Sequence, residues 1–190
     1  MTLLLVRHTT PCIEPGRCYG RLDVPLAESA ATDIGATVAV LPRVARVLCS
    51  PAQRCLPLGA ALARRDEAEL VLEPALAELD FGAWEGIAWD DIDRSAIDAW
   101  AADPWGYAPG GGESLATLWS RVATLVARLP PAPVPVAVVS HHGPLRVMLL
   151  QLLRRPWREL FDYKLDFGGA WQVDRTGAHA VRVPVVTRLH

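Results

Sequence analysis

Hydrophobic residues fall in short runs separated by Pro- and Gly-rich segments, and the spacing inside each run predicts its element. Residues 2–6 are nearly continuously apolar with no helical period, the pattern of a strand covered on both faces. A loop containing Pro11, Pro15, Gly16, Gly20 and Pro25 follows, and residues 26–41 are Ala-rich and helical in pattern. Residues 43–49 alternate toward a second strand that stops at Ser50-Pro51. There Ser50 is the expected cap of a helix running to Arg65, with Pro51 and Arg54 in its first turn. Residues 70–72 form a third strand. Residues 73–105 interleave acidic residues and Trp around Gly82 and Gly86, which predicts loops and short helices crossing one end of a sheet.

After a Pro-Gly-Gly-Gly loop at 109–112, residues 113–129 read as a long helix, broken by the Pro-rich segment 130–135. Residues 136–139 are a buried strand, Ser140-His141-His142-Gly143-Pro144 its exit turn, and residues 145–153 the next helix. Residues 171–173 and 180–183 resemble a terminal hairpin around Thr176-Gly177. No repeat or shift of composition divides the chain. The alternation predicts a single α/β domain over residues 1–190, a three-layer α/β/α sandwich with a mostly parallel central sheet.

Composition narrows the function without naming it. With 190 residues, 51% hydrophobic and 21% charged, the chain holds one sizeable core and is neither disordered nor fibrous. Nineteen basic residues against 21 acidic give a net charge of -2, so no bulk attraction for nucleic acid or an anionic membrane is expected. Lys164 is the only lysine, which leaves Arg to supply nearly all positive charge. The longest apolar stretches are far shorter than the ~20 residues that span a bilayer. The N-terminus lacks the basic start and long apolar segment of a secretory signal, which predicts a cytoplasmic protein. Cys12, Cys18, Cys49 and Cys55 do not match zinc-ligand spacings and are expected to be reduced and unliganded.

The candidate chemistry lies at strand ends, where open parallel α/β sheets place their crevice. The first strand delivers Arg7-His8, the second Ser50 with Arg54 one turn on, and the fourth Ser140-His141-His142-Gly143 at a helix start. If these strands are neighbours, two Arg, two or three His and a helix dipole face one point, the makeup of a phosphate pocket. Each piece alone has a plainer reading as a solvated capping pair, a helix-surface Arg or a strand-to-helix turn. Their agreement is what points to an anion.

Those residues resemble the signature motifs of the histidine phosphatase superfamily, also called phosphoglycerate mutase-like. The resemblance runs through Leu4-Leu5-Val6-Arg7-His8-Thr9, the loop Gly16-Arg17-Cys18-Tyr19-Gly20-Arg21-Leu22-Asp23-Val24-Pro25-Leu26, Ser50-Pro51-Ala52-Gln53-Arg54, 78–86, 111–114 and 139–146. The first loop is most similar to the α-ribazole phosphatase branch of cobalamin synthesis.

The resemblance implies a phosphomonoesterase. His8 would be the nucleophile forming a phosphohistidine, and Arg7, Arg54 and His141 would hold the phosphoryl oxygens. Glu78 would be the general acid; since a carboxyl titrates near ~4.3, that role requires burial and the bound dianion to keep its proton. Arg17 would add a phosphate contact. Arg21 is read equally as a contact or a solvated loop charge, and Glu85 and Glu113 as structural. No metal or other cofactor is required, because Arg supplies the charge.

The family often has Gly-Glu-Thr after the Arg-His pair and an Asn further on. Here Thr9-Thr10-Pro11 follows and the Asn is absent, so Thr9 or Ser50 would replace its contact. His142 stands where many members have Gly, and either reaches the pocket rim or points away. Residues 85–112 would form a cap-like insertion holding substrate selectivity, with Trp84 as core or pocket wall and Trp89, Trp100 and Trp105 as entrance lining or simple packing. The implied partner is a small phosphomonoester, α-ribazole-5′-phosphate first. A broad sugar or metabolite phosphatase, a phosphoglycerate mutase and a non-enzymatic phosphate-binding scaffold remain alternatives. Whether the chain is a monomer or a homodimer stays open.

Overall fold

The computed structural model describes residues 2–129, 134–174 and 176–181. Six strands form one sheet in the order β3-β2-β4-β1-β5-β6, with β1 Leu3–Arg7, β2 Arg46–Cys49, β3 Glu69–Leu72, β4 Val136–Ser140, β5 Ala170–Asp174 and β6 Gly177–Val181. The first four in that order are mutually parallel, and β5 and β6 join antiparallel. The sheet is therefore mostly parallel with an antiparallel edge.

The side-chain alternation of the strands sorts the core into two layers. Leu3, Leu5, Val136 and Val138 face helices α4 (Leu115–Arg128) and α5 (His142–Leu152). Leu4, Val6, Ala137 and Val139 face α1 (Ala30–Val40) and α2 (Leu56–Asp66). This is the α/β/α sandwich expected of strands apolar on both faces. No helix among the described residues is long and apolar enough to cross a membrane.

Several boundaries differ from expectation for local reasons. Helix α1 starts at Ala30 rather than residue 26 because residues 25–27 are bonded to the preceding loop, with Cys12 N–H donating to Pro25 O (2.8 Å) and Ala27 N–H to Thr10 O (3.0 Å). The Ser50 cap does not form: α2 begins at Leu56, with Pro57 in its first turn, and Arg54 lies in the turn before it. Helix α5 starts at His142, earlier than residue 145, because Pro144 in a first turn forfeits only an N–H that has no helical partner.

Residues 73–112 form short 3-10 turns and one helix, α3 (Arg94–Ala102). The Pro break expected at 130–135 falls largely outside the described residues, as do residues 182 and 183 of the expected hairpin.

Candidate active site

Parallel register brings the three polar strand ends together. Arg7 pairs with Ser140 across β1 and β4, His8 N–H donates to Ser140 O (3.0 Å), and Ser50 N–H donates to Val139 O (2.9 Å). His8, Arg54 and His141 are thereby packed at the carboxyl ends of the central strands, each no more than 2% exposed. The His8 and His141 rings meet edge to face, 5.2 Å apart.

Hydrogen bonding fixes the tautomer of each imidazole. His8 Nδ1 lies 2.7 Å from the Thr9 carbonyl oxygen, which can only accept, so Nδ1 carries the hydrogen. Burial, reinforced by Arg54 and Arg7, lowers the His8 pKa to about 3. A neutral ring with its proton on Nδ1 leaves a bare lone pair on Nε2. At His141 the arrangement is reversed. Arg54 Nε–H donates to Nδ1 (3.2 Å), so Nε2 carries the hydrogen and donates to Ser50 Oγ (2.8 Å). Burial first, then Arg54 and the His8 ring, holds His141 well below its ordinary pKa.

Arg54 is anchored beneath this pair. Its Nη1 donates to Leu22 O (2.9 Å) and its Nη2 to Gly20 O, and the guanidinium stands 5.5 Å from the Tyr19 ring centre. Those carbonyls are presented by a loop that Glu85 shapes. Glu85 accepts from Arg21 N–H (2.8 Å), Leu22 N–H and Phe81 N–H (3.0 Å). Glu85 is structural, as expected, and so is Glu113, which forms a two-point pair with Arg121 (2.7 and 2.8 Å). Arg21 reaches toward Asp80 (3.7 Å) and Glu113 (3.5 Å).

Beside these groups opens a cavity of about 430 Å³, lined at one end by Arg7, His8, Tyr19, Glu78, His142 and Arg146. Arg7 Nη1 donates to Leu165 O (2.7 Å), its guanidinium lies 3.8 Å from the Phe167 ring centre, and its Nε is buried with no hydrogen-bond partner among the described residues. Burial lowers the Arg7 pKa, partly offset by Tyr19 and Glu78. Glu78 is held between two backbone donors, Leu79 N–H on Oε1 (2.9 Å) and Gly143 N–H on Oε2 (3.2 Å), at the start of α5.

The sequence-predicted residues separate into two groups. Arg7, His8, Glu78, Arg17 and His142 line the cavity, whereas Arg54, His141, Thr9 and Ser50 stand behind it, fully or almost fully buried. Arg17 is committed on the rim, to Glu14 (2.6 Å) and Gly86 O (2.8 Å). Thr9 Oγ1 has no partner among the described residues, and Ser50 Oγ serves His141. The His142 side chain reaches the cavity, its Nε2 accepting from Leu165 N–H (3.3 Å). Burial, then Arg146 and Arg7, lowers its pKa to about 3.

Tyr19, Arg146 and the segment 163–167 were not singled out from sequence. Arg146 Nε donates to Tyr163 O (2.6 Å), so this segment secures Arg7, His142 and Arg146 together through its backbone. The spacing of His142 and Arg146, one turn apart on α5, was a usable signal for Arg146. Nothing local marked 163–167. Of the Trp residues, Trp89 and Trp100 line the cavity; Trp84 is buried, and Trp105 packs against Trp119 and Trp157.

Comparisons with known proteins identify the family and the fold. The profile of the histidine phosphatase superfamily, branch 1, matches residues 3–183. The bifunctional protein Rv2228c of Mycobacterium tuberculosis is 33% identical over 172 residues, covering 86% of this chain and 47% of its own length. The chain thus spans about half the length of the curated relatives it matches. Among solved structures, the α-ribazole phosphatase of Shigella flexneri superposes with a TM-score of 0.81 at 25% identity, covering 96% of this chain and 95% of the other. Mycobacterial glucosyl-3-phosphoglycerate phosphatase gives 0.78 at 26% identity, covering 90% and 88%.

Proposed function

The chain belongs to the histidine phosphatase superfamily, branch 1, and from that premise we propose that it hydrolyses phosphomonoesters through a phosphohistidine on Nε2 of His8. The observation that carries this reading is the His8–Thr9 hydrogen bond, which commits Nδ1 and leaves Nε2 neutral and unprotonated. Such a nitrogen needs no base to activate it.

In the first step the Nε2 lone pair forms a bond to phosphorus as the ester P–O bond breaks. The departing oxygen takes a proton from Glu78. In the second step water attacks the phosphohistidine, the P–N bond breaks, and Glu78 takes the proton from the water, so orthophosphate leaves and the enzyme is restored. Arg7 supplies charge-assisted donors to the phosphoryl oxygens, and an oxygen on its buried Nε would relieve an unmet donor worth ~1–3 kcal/mol. Arg54 sits behind His8 and contributes positive potential to the same side of the transition state, while His141, neutral and with its one N–H committed to Ser50, holds the Arg54 Nε in place.

The substrate reading is α-ribazole-5′-phosphate. The first loop, residues 16–26, and the likeness to the Shigella α-ribazole phosphatase support it. A sugar-phosphate reading has its own support in the comparable likeness to glucosyl-3-phosphoglycerate phosphatase. Protein quenched in alkali after mixing with a ³²P-labelled phosphomonoester should carry label on His8, and His8→Ala should carry none and release no phosphate. Phosphate turnover by His8→Ala overturns the mechanism. A panel of α-ribazole-5′-phosphate, glucosyl-3-phosphoglycerate, other sugar phosphates and nucleotides decides the substrate, and no preference for the first rejects that choice.

A further inference from the structure

The far end of the cavity differs in character from the end that holds His8. Its walls are Phe81, Trp89, Trp100 and Pro104, whereas Phe161, 58% exposed, has its ring centre 5.9 Å from the Arg146 guanidinium. Trp89 and Trp100 lie parallel, 6.1 Å apart with a 9° interplanar angle, and Phe81 meets both edge-on at 5.6 and 5.9 Å. Trp84 and Ile92 are buried in the same cluster, Trp84 packing edge-on against Trp100 at 5.8 Å. Here the inner members are buried, while Trp89 and Trp100 remain partly open to the cavity.

The wall is also held in fixed relation to the phosphate end. Trp89 N–H donates to Gly16 O (2.8 Å), Cys18 N–H to Ile87 O (2.8 Å) and Gly86 N–H to Cys18 O (2.8 Å), so the loop carrying Arg17 and Tyr19 is strapped to the segment carrying Trp89. An apolar, aromatic end joined rigidly to a cationic end fits an ester whose alcohol part carries a flat ring.

We infer that Phe81, Trp89 and Trp100 form a ring-binding subsite, selecting phosphomonoesters whose alcohol carries a planar aromatic group such as a nucleoside base. The inference rests on the phosphatase reading and adds to it the residues that would hold the ring of the leaving group. The base would stack on the indole faces while the 5′-phosphate reaches His8, and the sugar between them spans the cavity.

Ribose 5-phosphate and a benzimidazole riboside 5′-phosphate present the same primary ester and differ in the ring, so their kcat/KM ratio isolates the subsite. Stacking predicts a ratio of about tenfold or more in favour of the riboside, expressed in KM. Trp100→Leu and, separately, Trp89→Leu should bring the ratio toward one by raising KM for the riboside, and thermal melting shows that the variants fold. A ratio near one in the unmodified protein, or one that survives both substitutions, overturns the subsite and leaves the phosphatase reading standing. If neither ester is hydrolysed, binding of the unphosphorylated riboside, read by calorimetry, decides instead. Binding lost in Trp100→Leu supports the subsite, no binding by the unmodified protein overturns it, and in either case the phosphatase reading is decided by the labelling of His8.

Discussion

Gly143 and Glu78 share the start of α5 only because residue 143 has no side chain: a Cβ there would stand 2.3 Å from Glu78 Oε1. The Gly143 N–H meanwhile donates to Oε2 of the same carboxylate. One residue therefore both makes room for the proposed acid and aims it.

Gly143→Ala should cost activity rather than stability. The colliding atom is the end of a flexible side chain, which moves cheaply, and Ala suits a helix better than Gly by ~1 kcal/mol. Displacing the carboxylate should lower kcat by about a hundredfold. Steady-state kinetics together with thermal melting check this; kcat within twofold of the parent would show that the carboxylate position does not matter.

Ser50→Ala removes the acceptor of the His141 Nε2 hydrogen. The nearest substitute is the Cys55 sulfur, 3.6 Å away and a weak partner. Leaving this buried donor unmet should destabilise the protein by about 1–3 kcal/mol and reduce kcat/KM about tenfold. Urea unfolding and kinetics on the same preparation measure the two effects, and an unchanged midpoint would mean that His141 finds another partner.

The histidines also set the response of stability to acid. His8 and His141 have folded-state pKa values lowered from the ordinary ~6.5, so below that pH the unfolded chain binds protons that the folded protein does not. Stability therefore falls as pH drops through ~6.5 and keeps falling toward the folded-state value, about 3 for His8. Each such histidine adds a slope of about 1.4 kcal/mol per pH unit at most. Denaturation at pH 7 and pH 5 should show the decline, and His8→Gln should make it shallower by about one proton. An identical slope in that variant would place the His8 pKa near its ordinary value.

Activity should follow a different group. With His8 neutral down to about 3, the acid limb of kcat/KM belongs to the second ionisation of the substrate phosphate, near ~6. Esters of lower phosphate pKa should shift the limb to lower pH. A limb fixed near ~6.5 for every ester would instead assign it to His8.

The strand ends were legible because their information is local. Arg7-His8 and His141-His142 each follow a run of apolar residues too regular to be a loop, and parallel pairing needs no more than adjacency to bring them together. The start of α2 was misplaced because Ser50 answers two descriptions. Its hydroxyl can cap a helix, but the nearby His141 nitrogen binds it instead, and that nitrogen comes from residues 91 positions along the chain. Pro57, which marks the true first turn, was the better local signal. The segment 163–167 was illegible for a deeper reason. Apart from the Phe167 ring against Arg7, it acts through the carbonyls of Tyr163 and Leu165 and the N–H of Leu165, groups that every such residue has and no side-chain pattern reveals.

The reversal of β5 governs where the chain tolerates change. Because β5 runs against β1, with Ala170 beside Val6 and Val173 beside Leu3, the residues before β5 arrive at the edge where β1 ends. The pairs Arg7-His8 and Gly168-Gly169 are linked there, Arg7 N–H donating to Gly169 O and Gly168 N–H to His8 O, both 3.0 Å. Asp174 and Gly177, where β5 gives way to β6, fall at the opposite end of the strands. Lengthening the chain between α5 and β5 would remodel the catalytic end, whereas a reporter peptide grafted into the β5–β6 turn would hang from the far end of the molecule and leave turnover intact.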